Sequence, residues 1–467
     1  MKGNNVIVLG GGIAGLTTAW RLAELWVPVA VFEQDKSVGG LSKTVEYKKF
    51  LFDYSAHRFN SDNPEVVRRF KQLVGKHCVH KKKVTYIRHW GRYLTYPPKG
   101  WEVIKVMPKK ILVPAAFEFV EAFIKNLVKK APKKSFADWT RGNFGKTLSR
   151  HLNEKYAEKI WKRPADQLSS DWAATRIGSF KLFDFILALF FPGRYKNVYS
   201  KSDPDTSWFY YSDIGIGYFP RRMSEEIIKL GGQVINKAEV TRIEKKKNKY
   251  IVSYTKSGIS YQKACAAVVS SLPLNVLCNC LATKVPERVE RAVRRLEYLT
   301  VLVVNILLDK QNVNDASWIY YSEEYLIFNY VLEFKNWSYK MAPPGKTSLS
   351  VNITCDMNDS TWNMKDNEII KKVVHDLVSV GIIKKTEVMD GFISRIPYAY
   401  PIYDLNYKSR LKMVKNYFQK LPGFHLVGRT GNFEYINSDK VMEEGLRLAE
   451  RIALLRGESG GYRGRTC

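Results

Sequence analysis

The sequence predicts an α/β chain in two parts: a discontinuous Rossmann-like domain and a mixed α+β domain. Three observations predict it. The N-terminal stretch reads strand, glycine turn, helix, strand. Short apolar strands of the same kind return at Ala266 and at Phe424. Between them lie long stretches whose alternation suits a different, mixed sheet.

Val6-Ile7-Val8-Leu9 is an apolar, β-branched run that reads as a buried strand. It leads into Gly10-Gly11-Gly12-Ile13-Ala14-Gly15, which fits G-x-G-x-x-G. Leu16 to Leu25 reads as a helix, with Leu16, Ala19, Trp20, Ala23 and Leu25 available for one apolar side. Val29-Ala30-Val31-Phe32 is the second strand, and Glu33 stands at its end. Each residue type has a physical task. Gly10 permits the tight turn, Gly12 lets a pyrophosphate approach the backbone, and Gly15 lets helix and strand pack closely. The helix N-terminus offers free N–H groups and a positive dipole end to phosphates. Glu33 can accept hydrogen bonds from the ribose hydroxyls of an adenosine, and it would repel a 2′-phosphate. A glycine turn in an ordinary α/β domain is the plainer alternative. Both strands, the helix and Glu33 together favour dinucleotide binding.

Gly39-Gly40-Leu41-Ser42 follows the acidic strand end, where a flavin dinucleotide needs another close backbone approach. Next comes Phe52-Asp53-Tyr54-Ser55-Ala56-His57-Arg58-Phe59. This order resembles the FAD-dependent amine oxidase and protoporphyrinogen oxidase superfamily, and within it the branch of UDP-galactopyranose mutase and glycan-linked oxidoreductases. The resemblance implies an FAD cofactor held by Gly10, Gly12, Ile13, Ala14, Gly15, Glu33, Gln34, Gly40, Leu41, Ser42, His57 and Arg58. Ser55 and Ala56 stand where that branch often has Gly-Gly, and Leu41 where many relatives have Arg.

Val84 to Tyr96 suits strands. Val103 to Lys130 is apolar with flanking lysines, and reads either as a basic amphipathic helix on a membrane surface or as a helix of the second domain with a solvated lysine face. Lys159-Ile160-Trp161 and Ser170 to Arg176 again resemble the glycan-linked oxidoreductases, and Phe180 to Phe191 suits a monotopic segment or an acyl groove. Gly215 to Pro220 reopens the first domain, with a helix from about Met223. Val240 to Ile243 and Tyr250 to Tyr254 read as a meander, and Ala266 to Ser270 as a strand ending at Ser271. The resemblance brings Val240 and Ser271 to the FAD. Leu299 to Leu308 and residues 316–356 read as sheet, and Glu368 to Val380 as a helix. Tyr398, Tyr400 and Tyr403 gather around Pro397 and Pro401, either as a rigid turn packed by aromatics or as an aromatic wall of a substrate site. Phe424 to Val427 is a strand that delivers Gly428 and Arg429, and Asp439 opens the last helix. The resemblance closes this segment over the flavin. The expected division is 1–83, 215–298 and 420–456 for the FAD-binding domain, 84–214 and 299–419 for the substrate domain, and 457–467 for a mobile tail.

The chain has 467 residues, 45% of them hydrophobic and 26% charged, which suits two globular domains. No run approaches the ~20 apolar residues of a membrane span. The first strand begins too early to leave room for a signal peptide, and the six cysteines are scattered without a C-x-x-C or zinc pattern. A cytoplasmic protein is expected, at the inner face of the cell membrane if the basic stretches bind lipid. The net charge of +30 suits an anionic membrane, an anionic substrate or a general lysine enrichment alike. It also suits nucleic acid, but no motif accompanies that reading and no specific nucleic-acid partner is expected.

Two chemistries follow from the resemblance. In an oxidoreductase the substrate donates a hydride to the flavin, with His57, Arg58 and Arg429 on the flavin face and His57 a candidate general base. In a mutase-like isomerase, reduced flavin acts on a sugar nucleotide without net oxidation. Expected substrates are small molecules, with an anionic sugar nucleotide or a lipid-linked sugar foremost. A chain that keeps FAD without catalysis is the third class.

Overall fold

The computed structural model describes residues 5–96, 98, 100–128, 134–172 and 208–457. Five parallel strands form one sheet in the order Phe424–Leu426, Ala267–Ser270, Val6–Leu9, Val29–Phe32, Gln233–Ile235. Val6–Leu9 is buried at every position, as an apolar run without alternation requires in a sheet covered on both faces. Leu9 pairs with both Phe32 and Ser270, and Ser270 with Leu426. The strands therefore end level. Gly10, Glu33, Ser271 and the Val427-Gly428 turn all emerge at one carboxyl edge.

The helix Ile13–Glu24 starts at once from the glycine turn and packs between the helices Tyr218–Lys229 and Ser438–Leu455. A Cβ on Gly445 would come 3.0 Å from the Thr17 Cβ, so the close approach of the last helix depends on this glycine. The helix expected from Met223 begins at Tyr218 instead. Pro220 sits in its first turn, where a missing N–H costs nothing.

A seven-stranded sheet forms the second layer, in the order Val388–Pro401, Tyr298–Leu308, Thr347–Cys355, Tyr330–Leu332, Trp318–Tyr321, Thr85–His89, Arg92–Thr95. It is antiparallel except where Trp318–Tyr321 meets Thr85–His89. Tyr298–Leu308 is buried throughout. Val388–Pro401 is the edge strand, which tolerates Pro397 and Pro401. Tyr398 and Tyr400 thus lie on a strand, not in the turn that the flanking prolines suggested. The helices Gly100–Val106 and Lys109–Val128 cover the other end of this sheet, packing Val103, Met107, Ile111 and Ala115 on Ile87 and Leu94. A three-stranded meander, Ala238–Lys246, Lys249–Lys256 and Ile259–Cys265, follows the parallel sheet.

No described helix is long and apolar enough to cross a membrane. The Phe180 to Phe191 stretch, residues 173–176, Lys129, Lys130 and the chain after Gly457 lie outside the described residues.

Candidate active site

At the carboxyl edge of the parallel sheet the backbone is bare. Gly10 turns the chain with a φ of +95°, a conformation open to glycine. A Cβ on Gly15 would lie 2.1 Å from the Gly10 carbonyl oxygen, so the helix can start this close to the strand only with glycine there. Gly12 and Gly40 meet backbone to backbone: a Cβ added to Gly40 would come 3.1 Å from the Gly12 Cα, and one added to Gly12 meets only the Gly40 Cα, at 3.9 Å. The Gly39 N–H donates to the Gly11 carbonyl at 2.7 Å, which ties the second glycine pair to the first. Ile13 and Ala14 open the helix behind this contact. A Cβ on Gly428 would come 2.4 Å from the Ala14 Cβ, so the C-terminal segment closes on the same helix.

Glu33 is buried, and burial pushes its carboxyl pKa up. Its oxygens accept from the Gly11 N–H at 2.7 Å and the Asp35 N–H at 2.9 Å. Gln34, next to it, is exposed. Ser271 Oγ donates to the Leu9 carbonyl at 2.9 Å, so it seals the junction of two strand ends. Val240 lies at a bulge in the meander, and its carbonyl accepts from Cys280 Sγ. Asp439 is buried in the first turn of the last helix, with its carboxyl pKa raised by burial. Ser42 is buried, and Leu41 packs against the buried cluster of Val301, Val303, Ile396 and Ala399 in the large sheet. An apolar side chain at 41 therefore joins the two layers. The basic group of this loop is Lys43, which the motifs did not single out; it is buried and paired with Asp35.

The second half of the site is aromatic. Arg429 Nε and Nη2 donate to the Ile436 carbonyl at 3.0 and 2.7 Å, and its guanidinium lies over Tyr400 and Tyr435, 5.2 and 5.5 Å from the ring centroids. Tyr400 and Tyr435 stack at 5.3 Å, with Trp161 edge-on to both. Sheet register sets Tyr320, Tyr330 and Asn352 in one row across three strands. The Tyr330 hydroxyl and Ser55 Oγ are 2.6 Å apart. Burial holds Tyr330 well above the usual tyrosine pKa, with Tyr400 next among the causes, so the phenol stays neutral.

His57 is partly buried, and burial, with the charge of Arg429 second, pushes its pKa down to about 3. It is a neutral imidazole at ordinary pH, and a weak base. The proton-free form is the one a base needs, and the lowered pKa weakens its pull on a substrate proton. Arg58 turns to the other side, over Trp318 at 5.6 Å. Of the three tyrosines singled out, Tyr400 joins Arg429. Tyr398 packs edge-on to Tyr298, and Tyr403 stacks on Tyr407 while its hydroxyl accepts from the Tyr435 N–H at 2.7 Å. These two brace the fold behind the wall.

Asp53 stands within the Phe-Asp-x-x-x-His-Arg-Phe run, where nothing local marks it out. It accepts from Thr44 Oγ1 at 2.6 Å, the Tyr211 hydroxyl at 2.5 Å and the Ile216 N–H at 3.2 Å. Burial outweighs these donors and raises its pKa to about 7. Cys278 and Cys280 are not a ready redox pair: burial raises both thiols, Cys278 to about 12. Among the described residues no cluster of His, Cys, Asp or Glu could hold a metal.

Glycine turns at the carboxyl edge of a parallel sheet, with a large mixed sheet as the second layer, define a two-layered dinucleotide-binding fold. Residues 13–453 match the family model described as flavin containing amine oxidoreductase, and the chain belongs to that family. A segment of 49 residues is 57% identical to an inactive all-trans-retinol 13,14-reductase of Danio rerio, covering 10% of this chain and 8% of that protein. A carotenoid 3,4-desaturase of Haloarcula japonica is 34% identical over 76 residues, 16% of this chain and 15% of the relative. Protoporphyrinogen oxidase 2 of Arabidopsis thaliana is 35% identical over 66 residues, 14% and 13% of the two chains. The matched segments thus span 8–15% of the length of these curated relatives. Among solved structures, reduced UDP-galactopyranose mutase superposes with a TM-score of 0.83 at 16% identity, over 99% of this chain and 97% of its own. Putrescine oxidase bound to putrescine gives 0.68 at 15% identity, over 97% and 99%. These likenesses are of fold.

Proposed function

We propose that this chain is an FAD-dependent oxidoreductase that takes a hydride from a neutral or anionic small molecule, with a nucleotide- or lipid-linked sugar as the foremost candidate. The carrying observation is the side-chain-free backbone that Gly12 and Gly40 present next to each other, with Glu33 at the neighbouring strand end. Gly12, Gly40, Ser42 and the helix N-terminus at Ile13 would hold the pyrophosphate, and Glu33 the adenosine ribose. Lys43 adds positive charge beside Glu33. Gly428, Arg429 and Asp439 would close the cleft from the C-terminal side. When bound, the isoalloxazine supplies the hydride acceptor.

The chain's own groups then bind and orient. The Arg429 guanidinium lies over Tyr400 and Tyr435 and near enough to His57 to lower its pKa. Such a site stabilises negative charge that develops on its ligand and disfavours an ammonium substrate. Tyr400 and Tyr435 offer a flat, water-excluding wall suited to a sugar or another ring face. The scattered free cysteines fit a reducing compartment, and we assign the protein to the cytoplasm on that reading.

The same cation and tyrosine wall favour a second reading, a mutase-like isomerisation of a sugar nucleotide by reduced flavin. One experiment separates the two. The purified protein is examined for a flavin absorption spectrum, then incubated anaerobically with nucleotide sugars and lipid-linked sugars. Bleaching by one of them supports the oxidoreductase. An oxidised flavin that never bleaches, in a protein that isomerises a sugar nucleotide after dithionite reduction, moves the assignment to the mutase. No flavin, even after FAD is added, overturns both.

A further inference from the structure

The helix Lys109–Val128 carries two apolar faces. One packs Ile111 and Ala115 against the large sheet. The other turns Val113, Phe117, Val120 and Ile124 to solvent, with Phe117 76% exposed. The i, i+4, i+7, i+11 spacing puts these four on one stripe of the helix. The preceding helix, Gly100–Val106, adds exposed Trp101 and Ile104. A buried seam accounts for one face of a helix, and among the described residues nothing covers the outer stripe.

We propose that this stripe docks the protein on an anionic lipid surface. Two observations favour a bilayer over a second copy of the chain. First, Lys109 and Lys110 are exposed and, at about 100° per residue, flank the stripe on either side, while Lys105 is exposed on the preceding helix. A parallel two-fold pairing of this helix would set these cations against their own copies, whereas anionic headgroups neutralise them. Glu121, the acid beside the stripe, is already paired with Lys125. Second, the helix is one side-chain layer from the candidate site. Its buried seam packs with Tyr320, whose ring lies 5.9 Å from that of Tyr330. Docking there brings the bilayer next to the aromatic wall.

The test uses the full-length holoprotein in flotation with phosphatidylcholine vesicles, with and without about a third phosphatidylserine. Binding to the phosphatidylserine vesicles alone is expected, falling as salt rises. The double variant F117S/I124S is expected to lose about tenfold in partitioning, because the apolar side chains no longer enter the acyl boundary. K109E/K110E is expected to lose at least as much, at roughly fivefold for each lysine removed. Both variants change exposed side chains, and their flavin spectra should match the parent's, which keeps this test separate from the proposed chemistry. Three results would overturn the proposal: no binding at low salt, binding that neither variant weakens, or variants that only convert a dimer to a monomer in light scattering.

Discussion

The glycine turns and the tyrosine wall are built by opposite means. The turns are made of backbone. Their parts, Gly10 to Gly15, Glu33 and Gly39-Gly40, come from one short stretch, and what matters is that side chains are missing. The wall is made of side chains from four distant strands and segments: Tyr330, Asn352, Tyr400 and Tyr435, with Arg429 over two of the rings. Backbone recognition suits phosphates, which every dinucleotide carries. Side-chain recognition suits whatever is particular to the substrate. A family that shares one cofactor and varies its substrates needs this division.

The largest expected effects come from breaking the turns. Gly15→Ala should lose the flavin and destabilise the fold by about 3 kcal/mol, since the new Cβ overlaps the Gly10 carbonyl. Gly12→Ala should lose the flavin as well but change stability by less than about 1 kcal/mol, because its Cβ meets little of the protein. Urea melts and flavin retention on gel filtration read the two apart. Equal destabilisation by both would mean that Gly12 serves packing rather than a ligand.

On the wall, Arg429→Leu should keep the flavin and lower kcat/KM about 100-fold, the scale for losing a fixed charge at a reacting centre. Steady-state kinetics with the substrate found by anaerobic bleaching checks this. Loss of flavin instead would move Arg429 to the cofactor side of the site.

Asp53, between the two regions, should leave a pH signature. Its folded pKa, about 7, stands above the ordinary aspartate value, so the folded state holds a proton that the unfolded state has released. Stability should therefore fall as pH rises from about 4 to about 7, by about 1.4 kcal/mol per unit of pKa difference. Asp53→Asn should flatten that slope in denaturation series across the range. An unchanged slope would assign it to other groups.

Tyr403→Phe should cost about 1 kcal/mol through the Tyr435 N–H it leaves unpaired, with kcat hardly changed. The smallest effect is expected at His57. With its pKa already near 3, His57→Gln should leave the shape of the pH–rate profile between pH 5 and 8 unaltered. Loss of a limb near pH 6–7 would show that His57 titrates there and acts as a base.

The sequence by itself determined the parallel sheet and the glycine turns. Val6–Leu9, Gly10 to Gly15, Val29–Phe32 and Glu33 declare their roles through local constraints: an apolar run, a turn only glycine makes, an acid at a strand end. Gly428-Arg429 was legible through the resemblance, as a glycine and an arginine at a strand end. Only the tertiary structure decided the wall. Tyr320, Tyr330 and Asn352 share a row through strand register, and no local pattern says which of many tyrosines will meet across strands. Tyr398, Tyr400 and Tyr403 look alike in sequence, yet one faces Arg429 and two brace the fold. The state of His57 was equally hidden. Burial and a neighbouring guanidinium, brought there from the far end of the chain, hold this histidine neutral, and neither is visible in the local motif.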